Sequence, residues 1–75
     1  MRIDYGPQAD AIYVRLRDGI VDDTHEVSKY IYVDVNERGI PLGLEILFAS
    51  QVLGDKDLTS VTLNVAHATS ASLET

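Results

Sequence analysis

Two apolar rows with a two-residue period, joined by one turn, constrain this chain more than any other feature in it. Residues 30–36, YIYVDVN, and 40–48, IPLGLEILF, bracket the turn NERG. That period puts Ile31, Val33 and Val35 on one side of an extended chain and Tyr30, Tyr32 and Asp34 on the other, an order that a helix would scramble. β-Branched and aromatic side chains dominate the first run, which favours strand over helix. We read the pair as an antiparallel hairpin. If Asn36 and Gly39 end a four-residue type I turn, Val35 faces Ile40, Val33 faces Leu42 and Ile31 faces Leu44. An odd loop would set Val33 opposite Gly43 and expose a whole apolar row. The even register places Tyr32 opposite Gly43, where a ring covers bare backbone, and Tyr30 opposite Glu45. Pro41 has no N–H to give to a ladder, so one side of the start of its strand should be an edge.

The flanking sequence adds strands on the same logic. Residues 2–5, RIDY, and 11–17, AIYVRLR, alternate around the turn GPQAD, and form a second hairpin with Ile12, Val14 and Leu16 inward and Tyr13, Arg15 and Arg17 outward. Asp10 is expected to close that turn by folding its carboxylate onto nearby backbone amides. The stretch IVDDTHEVSK lacks sustained alternation and reads as an irregular crossing with a short edge strand near Thr24–Ser28. Ser50 can cap one helical turn, residues 50–54, which Gly54 ends. Residues 58–66, LTSVTLNVA, return to alternation at Val61, Leu63 and Val65 and suggest a final strand. The expected fold is mainly β, with a small α+β fold as its variant: an antiparallel sheet of two hairpins plus a C-terminal strand, with at most one short helical turn near 50–54. Residues 1–66 form one domain, and residues 67–75 are a frayed polar tail.

A 75-residue chain buries only about 60–65% of the surface exposed when unfolded, and the staples open to it are disulfides, a structural metal or oligomerisation. Cysteine is absent and there are two histidines, which leaves self-association, and we expect a homo-oligomer, most simply a homodimer. The opening MRIDYG has no signal-peptide pattern and no apolar run approaches the roughly 20 residues that cross a bilayer, so the chain is read as cytoplasmic. A net charge of −6 repels phosphate backbones and anionic headgroups. Nucleic acid and membrane are therefore not expected as partners, whereas a basic protein is compatible.

The runs RIDYGPQADAIYVRL and YIYVDVNERGIPLGLEIL, with the AS that follows, resemble the small bacterial proteins grouped as domain of unknown function 2283. The resemblance covers residues 1–50 and rests on Tyr5, Asp10, Ala11, Tyr13, Asp34, Gly39, Gly43, Glu45 and Ile46. It implies a small sheet-rich fold, bacterial origin and no established activity or catalytic residues. It also implies, for some members, a place in toxin–antitoxin pairs opposite small basic proteins.

Tyr13, Arg15, Tyr32, Asp34 and Glu45 share the outward face and mix rings with charges as protein interfaces do, so they are the candidate partner-binding residues. With the two hairpins side by side, Arg15 should reach Asp34 or Glu45. An acid/base pair of Asp34 and Glu45 is disfavoured, since the even register separates them by about 13 Å along the strands against the roughly 5–9.5 Å such chemistry uses. DDTHE, residues 22–26, has no fixed ligand spacing, and alternation throws Asp23 and His25 to one side and Asp22 and Glu26 to the other; no metal site is expected. His67 lies in the polar tail and is read as incidental. The serines fall in no nucleophile motif, and no glycine-rich loop leads into a helix. The sequence thus reads as a non-enzymatic protein-binding module without a cofactor, antitoxin-like in its most specific version. The alternative is a small-molecule or metal site formed across a homodimer by Tyr13, Arg15, Asp34 and Glu45.

Overall fold

A computed structural model describes residues 1–54 and 58–66. Five strands, β1 (Arg2–Gly6), β2 (Ala11–Arg15), β3 (Asp23–Ser28), β4 (Ile31–Val35) and β5 (Pro41–Ile46), are followed by one helical turn, α1 (Ala49–Val52). They form a single antiparallel sheet in the order β1-β2-β5-β4-β3, so the fold is mainly β. The two expected hairpins are present, and β5 joins them by lying between β2 and β4. The acidic stretch supplies the edge strand β3.

The hairpin of β4 and β5 reaches its inward row by a route the sequence did not suggest. Gly39 N–H donates to the Asn36 carbonyl at 2.9 Å, as in the expected turn, and Gly39 takes the left-handed φ of 76°. Pairing closes one residue later, however, with Asn36 N–H on the Ile40 carbonyl at 3.0 Å; Asn36 Oδ1 accepts the N–H groups of Arg38 and Ile40. This is an odd, three-residue loop of the kind built on a type I turn and a left-handed glycine. A bulge then offsets it. Val35 faces Pro41 but Asp34 faces Gly43, so Leu42 is the extra residue. The two single-residue offsets add to two, which restores the side-chain parity. Val33 therefore faces Leu44, Ile31 faces Ile46 and Tyr32 faces Glu45, rather than Leu42, Leu44 and Gly43. Pro41 lies beyond the β2 ladder, which ends at Gly43.

Leu42 profits from the bulge. Its carbonyl accepts the N–H of Leu16 at 2.8 Å and of Arg17 at 3.3 Å, its side chain is 3% exposed, and a Cβ at Gly19 would press against its methyl groups. The 16–22 crossing is thereby fixed over one end of the sheet. Leu16 itself lies past the end of β2 and is 43% exposed: it gives its backbone to the fold, and the expected core role falls to Leu42. At the other end Ile12, Ile46 and Ala49 form a buried cluster on which Tyr5, Val14, Ile31, Leu44 and Leu58 pack.

Two further expectations need correction. Ser50 does not cap α1: the position before the helix is Phe48, in the left-handed region. Residues 58–66 form no strand, and Val61, Leu63 and Val65 are strongly exposed: their alternation lies against no neighbouring strand of the sheet. The polar tail, with His67, lies outside the described residues.

Candidate functional site

The registers of the four strand pairs align two rows of side chains across the outward face. One row runs Asp4, Tyr13, Glu45, Tyr32, Glu26 from β1 to β3. Carboxylates and tyrosines alternate at every step, over about 19 Å at 4.8 Å per strand. Asp4, Glu45 and Glu26 are exposed while Tyr13 and Tyr32 are half-buried. The next row runs Arg2, Arg15, Gly43, Asp34, Thr24. All five candidate residues thus share the face, but in an order set by the bulge.

Gly43 decides how they meet. Tyr13, not Tyr32, lies over its bare backbone; a Cβ there would collide with the Tyr13 hydroxyl and ring. The hydroxyl passes across β5 and donates to Asp34 Oδ2 at 2.8 Å, while Thr24 Oγ1 donates to Asp34 Oδ1 at 2.6 Å. One carboxylate therefore links β2, β4 and β3. The bond to Asp34 is the main cause raising the Tyr13 phenol above its ordinary range, with burial second; Arg15 pulls it the other way and Glu45 adds to the rise. Arg15 makes no ion pair with Asp34 or Glu45. Tyr13 already spans the gap above Gly43, and the guanidinium rests 5.8 Å from the Tyr13 ring centre, within cation–π range. Glu45 is left exposed between two rings.

The register also revises the carboxylate spacing. Glu45 is a diagonal neighbour of Asp34, about 7–8 Å away, not about 13 Å. Distance thus no longer argues against an acid/base pair; the occupation of both Asp34 oxygens by hydroxyl donors does. Clefts among the described residues are lined by Gly19–Asp22 with 36–38, by Met1, Arg2 and 15–18, and by Tyr5, Pro7, Asp10, Ser50, Gln51 and Gly54; none of these contains Asp34 or Glu45. Among the described residues no group of three or more His, Asp or Glu is placed to hold a metal ion. In DDTHE, Asp23 and His25 do share a side, 3.7 Å apart and exposed.

A second cluster, which sequence reasoning missed, joins the first hairpin to α1, and it corrects the expectation for Asp10: its carboxylate binds Tyr5 and Ser50 rather than closing its own turn on nearby amides. Asp10, at a φ of 52°, accepts the Tyr5 hydroxyl at 2.9 Å and the Ser50 N–H and hydroxyl at 3.0 and 2.7 Å; its carbonyl takes the Ala49 N–H at 2.8 Å. The helix is thus capped from 40 residues away in sequence. The Ser50 hydroxyl leads in holding the Asp10 carboxyl below its ordinary value, against a desolvation cost, with the Ser50 N–H and Tyr5 adding to the effect. The same contact raises the Tyr5 phenol. Only the left-handed tolerance of aspartate in a turn hinted at this in the sequence.

A family model described as a protein of unknown function, DUF2283, matches residues 2–50. Among the described residues, that span holds every strand, the alternating row and the start of α1. No curated protein and no solved structure matches the chain. No helix among the described residues is long and apolar enough to cross a membrane.

Proposed function

The chain belongs to the DUF2283 family, and from that premise we propose that it is a non-enzymatic protein-binding module whose outward sheet face receives a basic protein partner. The observation that supports this reading is the alternating row Asp4, Tyr13, Glu45, Tyr32, Glu26. A lysine or arginine laid on the middle of the row meets the Glu45 carboxylate for its charge and a ring on either side, Tyr13 and Tyr32, for its stem and its π-contact. Tyr13 is held in place by Asp34 and so loses little freedom on binding, which favours affinity. A net charge of −6 steers a cationic partner towards it. The most specific form of the proposal is an antitoxin-like protein of a bacterial cytoplasm, acting as a homo-oligomer on a small basic protein.

Co-expression with the product of the adjacent gene tests the reading. We expect co-purification and rescue of growth, both lost in Glu45→Lys, which places a positive charge at the centre of the row while leaving the Tyr13–Asp34 bond intact. Absence of co-purification and rescue across adjacent and other small basic gene products would reject it, as would a complex insensitive to Glu45→Lys and to salt.

A further inference from the structure

Residues 58–66 have the pattern of a strand and lie outside the sheet. Val61, Leu63 and Val65 are 70, 78 and 85% exposed on a segment that carries no charged side chain. Leu58, at its start, packs on the same cluster as Tyr5 of β1, so the segment leaves the fold from a patch that β1 shares.

The two edges of the sheet differ. β3 presents Asp23, His25 and Glu26 and breaks register between Glu26 and Ser28; charges and a bulge are the usual protection against pairing. β1 has an unbroken register over five pairs, and its Arg2 and Asp4 satisfy each other at 3.1 Å. Its inward side alternates Met1, Ile3 and Tyr5, and Met1 and Ile3 are exposed. Three apolar residues at a period of two on this edge match three on the segment, and Arg2 and Asp4 match Thr62 and Asn64 on the polar side.

We propose that residues 58–66 of one copy add as a sixth strand to the β1 edge of a second copy, and reciprocally, so that exchanged strands hold a homodimer. Self-association was part of the functional reading above, and this inference names its contact. An uncharged donor strand approaches an acidic chain without charge repulsion, main-chain hydrogen bonds supply affinity and alternate side chains supply register. Reciprocal exchange closes with two-fold symmetry and leaves no further β1 edge to propagate it.

Light scattering across protein concentration is the test. The full chain should approach twice its 8.3 kDa mass. Leu63→Pro, which interrupts a ladder, and Leu63→Lys, which charges its apolar side, should each return the mass to one chain while the β-sheet circular dichroism persists, because Leu63 is exposed and outside any strand within one copy. A full chain that stays at one mass, or a dimer that survives either substitution, overturns the proposal. Such a failure is distinct from that of the binding face, which is read by Glu45→Lys in the partner experiment: an intact dimer without a partner rejects the face and not the exchange.

Discussion

Tyr5 and Tyr13 each donate a phenolic hydrogen to an aspartate, Tyr5 to Asp10 within its own hairpin and Tyr13 to Asp34 across the sheet, and these two bonds organise the molecule at the scale of the residue. Removing the Tyr13 hydroxyl in Tyr13→Phe should cost about 1 kcal/mol in chemical denaturation, the usual net worth of one hydrogen bond, since Asp34 keeps its Thr24 donor. Gly43→Ala should cost more, about 1–3 kcal/mol, because the new methyl occupies the space of the Tyr13 ring. In a Tyr13→Val background most of that cost should vanish, and a double-mutant cycle would read the difference as coupling. The protonation behaviour follows from the same contacts. Asp10 titrates lower when folded than when unfolded, so its contribution is complete above the unfolded value and is lost as pH falls through the folded one, a window beginning near about pH 4 and running downward. Ser50→Ala removes its chief cause, and should flatten the acid limb of a melting-temperature profile. Tyr5 and Tyr13 are raised, so their contributions are complete below about pH 10 and are lost above it; Tyr13→Phe should flatten the alkaline limb.

At the scale of the element, the alternation of IYVDV and of AIYV was enough to place the strands, their faces and their antiparallel sense. Register was harder to read. The NERG turn was recognisable, but a loop closing at Asn36–Ile40 and a bulge at Leu42 are each invisible to a two-residue period, because together they preserve it. The consequence fell on the site: its five residues were nameable from outward position alone, whereas their order, and the inclusion of Asp4 and Glu26, depended on that hidden offset. Leu16 was misread for a related reason, as alternation continues past Arg15, where the regular ladder with β5 ends at the bulge. The Asp10–Ser50 tie had no local signal beyond the turn that holds Asp10, since it joins residues 40 apart. Gly39→Ala tests the turn account. A left-handed φ of 76° suits glycine, and alanine there should cost about 1–2 kcal/mol by the steric penalty for that region, with cross-strand contacts between Val33 and Leu44 unchanged in NMR.

At the scale of the whole molecule, the described residues form a sheet one layer thick with one helical turn, which leaves much apolar surface to water: Ile3, Ile20, Val27, Phe48 and Leu63 are all exposed. A sheet needs a second layer or further strands to bury such surface, and a chain of this size needs a staple. The proposed exchange of strands would supply one and would leave the acidic and aromatic face open to the proposed partner. Amide hydrogen exchange across protein concentration tests this account most directly. The amides of residues 59–66 should exchange slowly at high concentration and quicken on dilution, together with those of β1. Exchange of residues 59–66 at unfolded-chain rates at every concentration, while β2, β4 and β5 stay protected, would contradict it.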